Sequence, residues 1–88
     1  MVKKELKIIN PQGIHMRPAN EFASAMGEFS CEVTVVYGDD EINGKSLMNM
    51  IAAGIRGGST VEVRCEGEDE KEALEKAEKL INSGFGEV

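Results

Sequence analysis

Three observations predict an α+β domain whose elements run in the order βαββαβα. They are two-residue hydrophobic alternation at 2–8 and 60–66, helical i, i+3, i+4, i+7 spacing in two longer segments, and Gly- or Pro-marked turns between them. A two-layer arrangement, with mostly antiparallel strands and the helices covering one face, lets such elements share one core. The chain's 88 residues leave room for a single domain, 1–88, because a chain this short buries only roughly 60–65% of the surface its unfolded form exposes.

Each element follows from its residues. In 2–8, Val2, Leu6 and Ile8 share one parity and Lys3, Glu5 and Lys7 the other, with Lys4 as the exception on the apolar side. Asn10-Pro11-Gln12-Gly13 ends that strand, since Pro offers no donor to a ladder and Gly permits a turn. Ala19, Phe22, Ala23 and Met26 then mark a helix over 16–26, with Gly27 as its C-cap. Val33 and Val35 alternate with Glu32 and Thr34 through Tyr37, and Gly38-Asp39-Asp40 turns the chain into a short strand around Glu41 and Ile42. Leu47, Met48, Met50 and Ile51 form a short helix with Ser46 at the capping position and Gly54 past its end. Val61, Val63 and Cys65 give 60–66 one buried face. Asp69 and Glu72 have capping-box spacing, and Ala73, Leu74, Ala77, Leu80 and Ile81 carry the last helix to near Gly84.

Composition excludes several classes of function. Net charge is −6, which opposes a broad nucleic-acid or anionic-membrane footprint. No apolar stretch approaches the ~20 residues of a bilayer span, and the first residues lack a signal peptide's apolar core, so a cytoplasmic setting is expected. Cys31 and Cys65 lie far apart in a chain with one His, which assembles neither a zinc site nor a Cys-x-x-Cys pair; both are expected as buried small hydrophobes. The carboxylates Glu66, Glu68, Asp69, Glu70, Glu72, Glu75 and Glu78 form a solvated face and not a metal site, and no Gly-rich nucleotide loop is present, so no metal or cofactor is expected.

The chemistry concentrates in Gly13-Ile14-His15-Met16-Arg17-Pro18-Ala19. Pro18 suits the first turn of a helix, which makes the single histidine, His15, the N-cap. Unpaired amides and the positive helix end there favour an anion such as phosphate, and Arg17 adds a charge-assisted donor fork. A positive helix end also disfavours a protonated ring, keeping a neutral nitrogen nucleophilic. Attack on a phosphoryl donor would place new negative charge where these donors already point, so the motif suits reversible phosphoryl carriage.

This combination, together with Gly44 to Gly54, resembles the HPr family over essentially the whole chain. These are the small histidine-containing phosphocarriers of the bacterial phosphoenolpyruvate:sugar phosphotransferase system. The resemblance implies an open-faced β-sandwich, a four-stranded antiparallel sheet with three helices on one face. It implies that enzyme I phosphorylates His15 on Nδ1, that Arg17 supports the phosphoryl group, and that enzyme IIA domains receive it for sugar uptake. The carrier is then a substrate of other enzymes and no enzyme itself. It also implies regulatory phosphorylation of Ser46 by HPr kinase/phosphorylase, creating a corepressor for a catabolite-control transcription factor.

Leu47, Met48 and Ile51 cannot all face the core of so short a helix, so with Met16 and Arg56 they are expected to form a partner surface. Lys45 and Arg56 are expected to make the rim around His15 basic. Met16 and Asn20 depart from the residues relatives commonly carry, and Met16 beside the imidazole is expected to alter the fit of enzyme I. Two alternative functions bracket carriage: a regulatory binding module acting mainly through Ser46 phosphorylation and docking, and a small phosphatase using His15 and Arg17.

Overall fold

The computed structural model describes residues 1–88. Strand β1 (Val2–Lys7) leads to helix α1 (Met16–Met26), the hairpin strands β2 (Glu32–Tyr37) and β3 (Asp40–Asn43), helix α2 (Leu47–Ala52), strand β4 (Thr60–Glu66) and helix α3 (Glu70–Asn82). A 3-10 turn, Gly84–Gly86, follows α3. The strands form one antiparallel sheet of order β1-β4-β2-β3, so the expected βαββαβα order and open-faced sandwich are both present.

The period-two segments place Leu6, Val33, Val35, Val61, Val63 and Cys65 in the core, where they meet Phe22 and Met26 of α1 and Ala73, Ala77 and Ile81 of α3. On the other parity Arg64 pairs with Glu62 and Glu41. Lys4 sits opposite Val63 on the apolar parity of β1. As an edge-strand residue it escapes burial by reaching Glu78 of α3, 2.5 Å away, which explains the break in the pattern. Cys31 and Cys65 are both buried and free. Burial pushes the Cys65 thiol up to about 12, and it raises Cys31 as well, so both remain neutral and behave as small apolar groups.

The capping box at α3 does not form. Asp69 occupies the N-cap with φ −103° and ψ 29°, and makes no side-chain cap bond. Its carboxylate instead accepts from the backbone N–H groups of Ser30 (2.8 Å) and Cys31 (2.9 Å), tying the start of α3 to the approach to β2. Two backbone donors across the fold outcompete one within the helix, and Glu70 accepts from Gly67 N–H instead of Glu72 reaching back.

The bond from Ser30 N–H, with that from Cys31, holds Asp69 below the usual carboxylate range. A depressed folded pKa means stabilisation present above the unfolded value and lost as pH falls through the folded one. Asp69→Asn should therefore lower the urea midpoint at pH 7, with the gap to the parent narrowing as pH falls below the ordinary Asp value of about 3.9 toward the lowered folded value. Parallel urea melts at pH 7 and pH 2.5 measure this, and an undiminished gap would refute it.

Candidate functional site

The loop between β1 and α1 is held by backbone before any side chain acts. Gly13 turns the chain at φ +70°, donating to the Asn10 carbonyl at 3.0 Å, and Ile14 N–H donates to the Ile55 carbonyl at 2.9 Å. A Cβ at Gly13 would lie 2.2 Å from that same Ile55 oxygen, so only glycine allows the two segments to meet. With Ile14 buried, His15 is delivered to the start of α1 as its N-cap, at φ −90° and ψ −164°, its carbonyl accepting Ala19 N–H at 2.9 Å. The amides of Met16 and Arg17 precede that first intrahelical bond. Pro18, the third helical residue, has no donor to lose and packs inward.

The His15 side chain makes no cap bond and is 38% exposed. Its Nε2 lies 2.9 Å and 3.1 Å from Glu87 Oε2 and Oε1. An ionised carboxylate can only accept, so Nε2 carries the proton, and in the neutral ring the lone pair lies on Nδ1. The bond with His15, helped by Asn10 and by the charge of Arg17, keeps Glu87 below the usual carboxylate range and hence ionised. Asn10, wholly buried, donates from Nδ2 to Glu87 Oε1 at 3.1 Å and to the Gly13 carbonyl at 2.7 Å. The sequence exposed only the helix end as a field acting on the ring. The fold adds a carboxylate hydrogen-bonded to Nε2. Arg17 is exposed, at the same helix end.

An open groove of about 570 Å³ runs beside the ring, with Met16, Ile51 and Arg56 among its lining. Three of the five residues expected in a partner surface thus line the same groove as His15. Met48, 72% exposed, and half-buried Leu47 belong to the same α2 but lie outside the groove lining, while Met50 takes the core position. Lys45 corrects the expectation of a basic rim. Its Nζ donates to the Phe29 carbonyl at 2.6 Å and it lines a separate groove with Ser30 and Asn43, because the turn after α1 offers an unpaired carbonyl within its reach. Arg56 remains as the cation from that pair on the His15 groove.

Ser46 caps α2 as its spacing predicts, its hydroxyl accepting Asn49 N–H at 3.2 Å. Ser46→Ala should cost ~1 kcal/mol, a fall of about 4–8 °C in Tm for a domain this size. Differential scanning calorimetry would measure it, and an unchanged Tm would show that the cap contributes nothing.

Sequence patterns did not point to Asn10 or Glu87. Asn10 read as a strand-ending turn residue, and Glu87 lies beyond the last periodic helix, where no spacing rule connects it to a histidine 72 positions earlier. The one usable local signal was Phe85 between two glycines, an apolar residue able to anchor a terminal turn; it is 3% exposed, at φ +55°.

Fold and site together define a small carrier: a single sheet backed by helices, presenting one helix-capping imidazole at the mouth of an open groove. The chain belongs to the HPr family of phosphocarriers of the phosphotransferase system. The family model described as the PTS HPr component phosphorylation site matches residues 2–83. Phosphocarrier protein HPr of Neisseria meningitidis is 38% identical over 87 residues, covering 99% of this chain and 98% of its own. The crystal structure of HPr-C-His from Thermoanaerobacter tengcongensis superposes with a TM-score of 0.95 at 35% identity, covering 100% of this chain and 99% of its own. Crh, described as a Bacillus subtilis catabolite repression containing protein, superposes at 0.73 with 30% identity, covering 100% and 98%. A protein of this family is a phosphocarrier and not itself an enzyme. No helix is long and apolar enough to cross a membrane.

Proposed function

We propose that this protein accepts a phosphoryl group from enzyme I on Nδ1 of His15 and passes it to enzyme IIA domains for sugar uptake in the cytoplasm. The observation that carries the reading is the Nε2–Glu87 contact on a part-exposed ring, which leaves the Nδ1 lone pair as the nucleophile. In the transfer the Nδ1–P bond forms, the bond from phosphorus to the donor breaks with its electron pair leaving on the donor, and the Nε2 proton stays in place. The phosphoryl oxygens then face the free amides of Met16 and Arg17 and the exposed Arg17 guanidinium, donors that need little rearrangement. Met16, Ile51 and Arg56 form the near part of the docking surface and Leu47 and Met48 its extension along α2.

Ser46 is the regulatory position of the same proposal. Its hydroxyl is half-buried at a helix end, and a phosphate added by HPr kinase would bring nearly two negative charges onto α2 beside the docking surface, weakening the encounter with enzyme I and offering a catabolite-control transcription factor a charged mark. Similarity to Crh favours a second reading, a regulatory module acting mainly through Ser46.

Mass spectrometry after separate incubations with enzyme I plus phosphoenolpyruvate and with HPr kinase plus ATP tests both. Carriage predicts an acid-labile adduct on His15 in the first, and regulation an acid-stable adduct on Ser46 in the second. An adduct on Ser46 alone would replace the carrier reading with the regulatory module.

A further inference from the structure

We infer that Glu87, braced by Asn10, is a positioning residue for phosphoryl transfer: it fixes the proton and the aim of the His15 ring, and it balances the charge that the ring gains when Nδ1 is phosphorylated. This rests on His15 being the phosphoryl acceptor.

The geometry has three parts. Both carboxylate oxygens of Glu87 lie within hydrogen-bond reach of Nε2, at 2.9 Å and 3.1 Å, so rotation of the ring about its bond to Cβ would break both contacts. Asn10 cannot follow such a rotation, because it is wholly buried and its Nδ2 is shared between Glu87 Oε1 and the Gly13 carbonyl, two residues before the histidine. Glu87 is itself placed by the terminal turn. Its N–H donates to the Gly84 carbonyl at 2.9 Å, and the buried ring of Phe85, the one non-glycine residue at positive φ, anchors that turn in the core. The segment 84–87 is thereby pinned across the entrance to α1.

The chemical consequence follows from proton accounting. Nucleophilic attack through Nδ1 turns a neutral ring that already bears a proton on Nε2 into a phosphoimidazolium, with a positive charge spread over both nitrogens. A carboxylate on Nε2–H meets that charge as it develops, in the way an acid behind a catalytic imidazole does, and it accepts no proton in doing so. Reverse transfer to an acceptor removes the charge again, so the same contact serves loading and unloading.

The test uses the full chain, with Glu87→Ala and Glu87→Gln. In ¹H–¹⁵N spectra the parent should show a His15 Nε2–H resonance protected from solvent exchange, and Glu87→Ala should lose it while its backbone amide spectrum stays that of the folded parent. Phosphorylation by enzyme I and phosphoenolpyruvate, followed by rapid quench, should slow roughly tenfold in Glu87→Ala, as expected for a lost charge-assisted bond. Glu87→Gln, which keeps an acceptor without the charge, should fall between the two. A retained Nε2–H signal in Glu87→Ala, or a rate within twofold of the parent, overturns the inference even though His15 is phosphorylated. Should the parent take no phosphoryl group on His15, the carrier reading fails instead, and the positioning role of Glu87 fails with it.

Discussion

His15→Ala is expected to abolish phosphoryl incorporation from enzyme I and phosphoenolpyruvate while leaving the fold in place. The reacting nitrogen is removed, and no other imidazole exists in the chain to replace it. The fold should survive, because the side chain makes no cap bond to α1 and its backbone carbonyl, which the helix does use, remains. The contact with Glu87 is given up, which for a part-exposed hydrogen bond costs about 0.5–1.5 kcal/mol, a Tm fall of roughly 2–12 °C that leaves the protein folded. Radiolabelled phosphoenolpyruvate with a parallel thermal melt separates the two effects. Full incorporation into the variant would place the phosphoryl group elsewhere and end the carrier reading of His15.

Gly13→Ala should produce a large loss of stability. A Cβ there meets the Ile55 carbonyl oxygen at 2.2 Å, the Gly57 nitrogen at 2.8 Å and the Arg56 carbonyl carbon at 2.9 Å, all backbone atoms that cannot rotate away. The position also sits at φ +70°, where a non-glycine residue carries strain of about 1–3 kcal/mol. Relieving the clash breaks the bond from Ile14 N–H to Ile55, so a total near 3 kcal/mol is expected, lowering Tm by roughly 12–24 °C. Because the same segment delivers His15, phosphorylation should slow as well, even where the variant remains folded. Gly54→Ala is the matched control: it too has positive φ, +63°, but its Cβ would meet nothing within 4 Å, so strain acts there without collision. Equal Tm losses in the two variants would show that the contact with Ile55 contributes little.

These two residues differ in how far local sequence specifies their roles. His15 announced itself through local rules: the turn before it, Pro18 after it, and the apolar spacing of α1 together located a helix entrance. Gly13 could be read as a turn, but the collision that makes it irreplaceable is with a loop some forty residues later, and nothing in its neighbourhood encodes that.

The strand and helix order, the inward parity of β4, the Ser46 cap and the placement of an imidazole at the start of α1 were determined by sequence alone, because each depends on residues within a turn or two of one another. Tertiary structure alone decided what those groups touch. Asp69 gave up its expected helix cap for Ser30 and Cys31, Lys45 went to the Phe29 carbonyl and away from the histidine, and Glu87 closed on His15 with Asn10 behind it. In each case a polar group chose among partners that folding brought together from distant parts of the chain. The choice follows from unpaired donors and acceptors left in three dimensions, a quantity with no periodicity along the sequence.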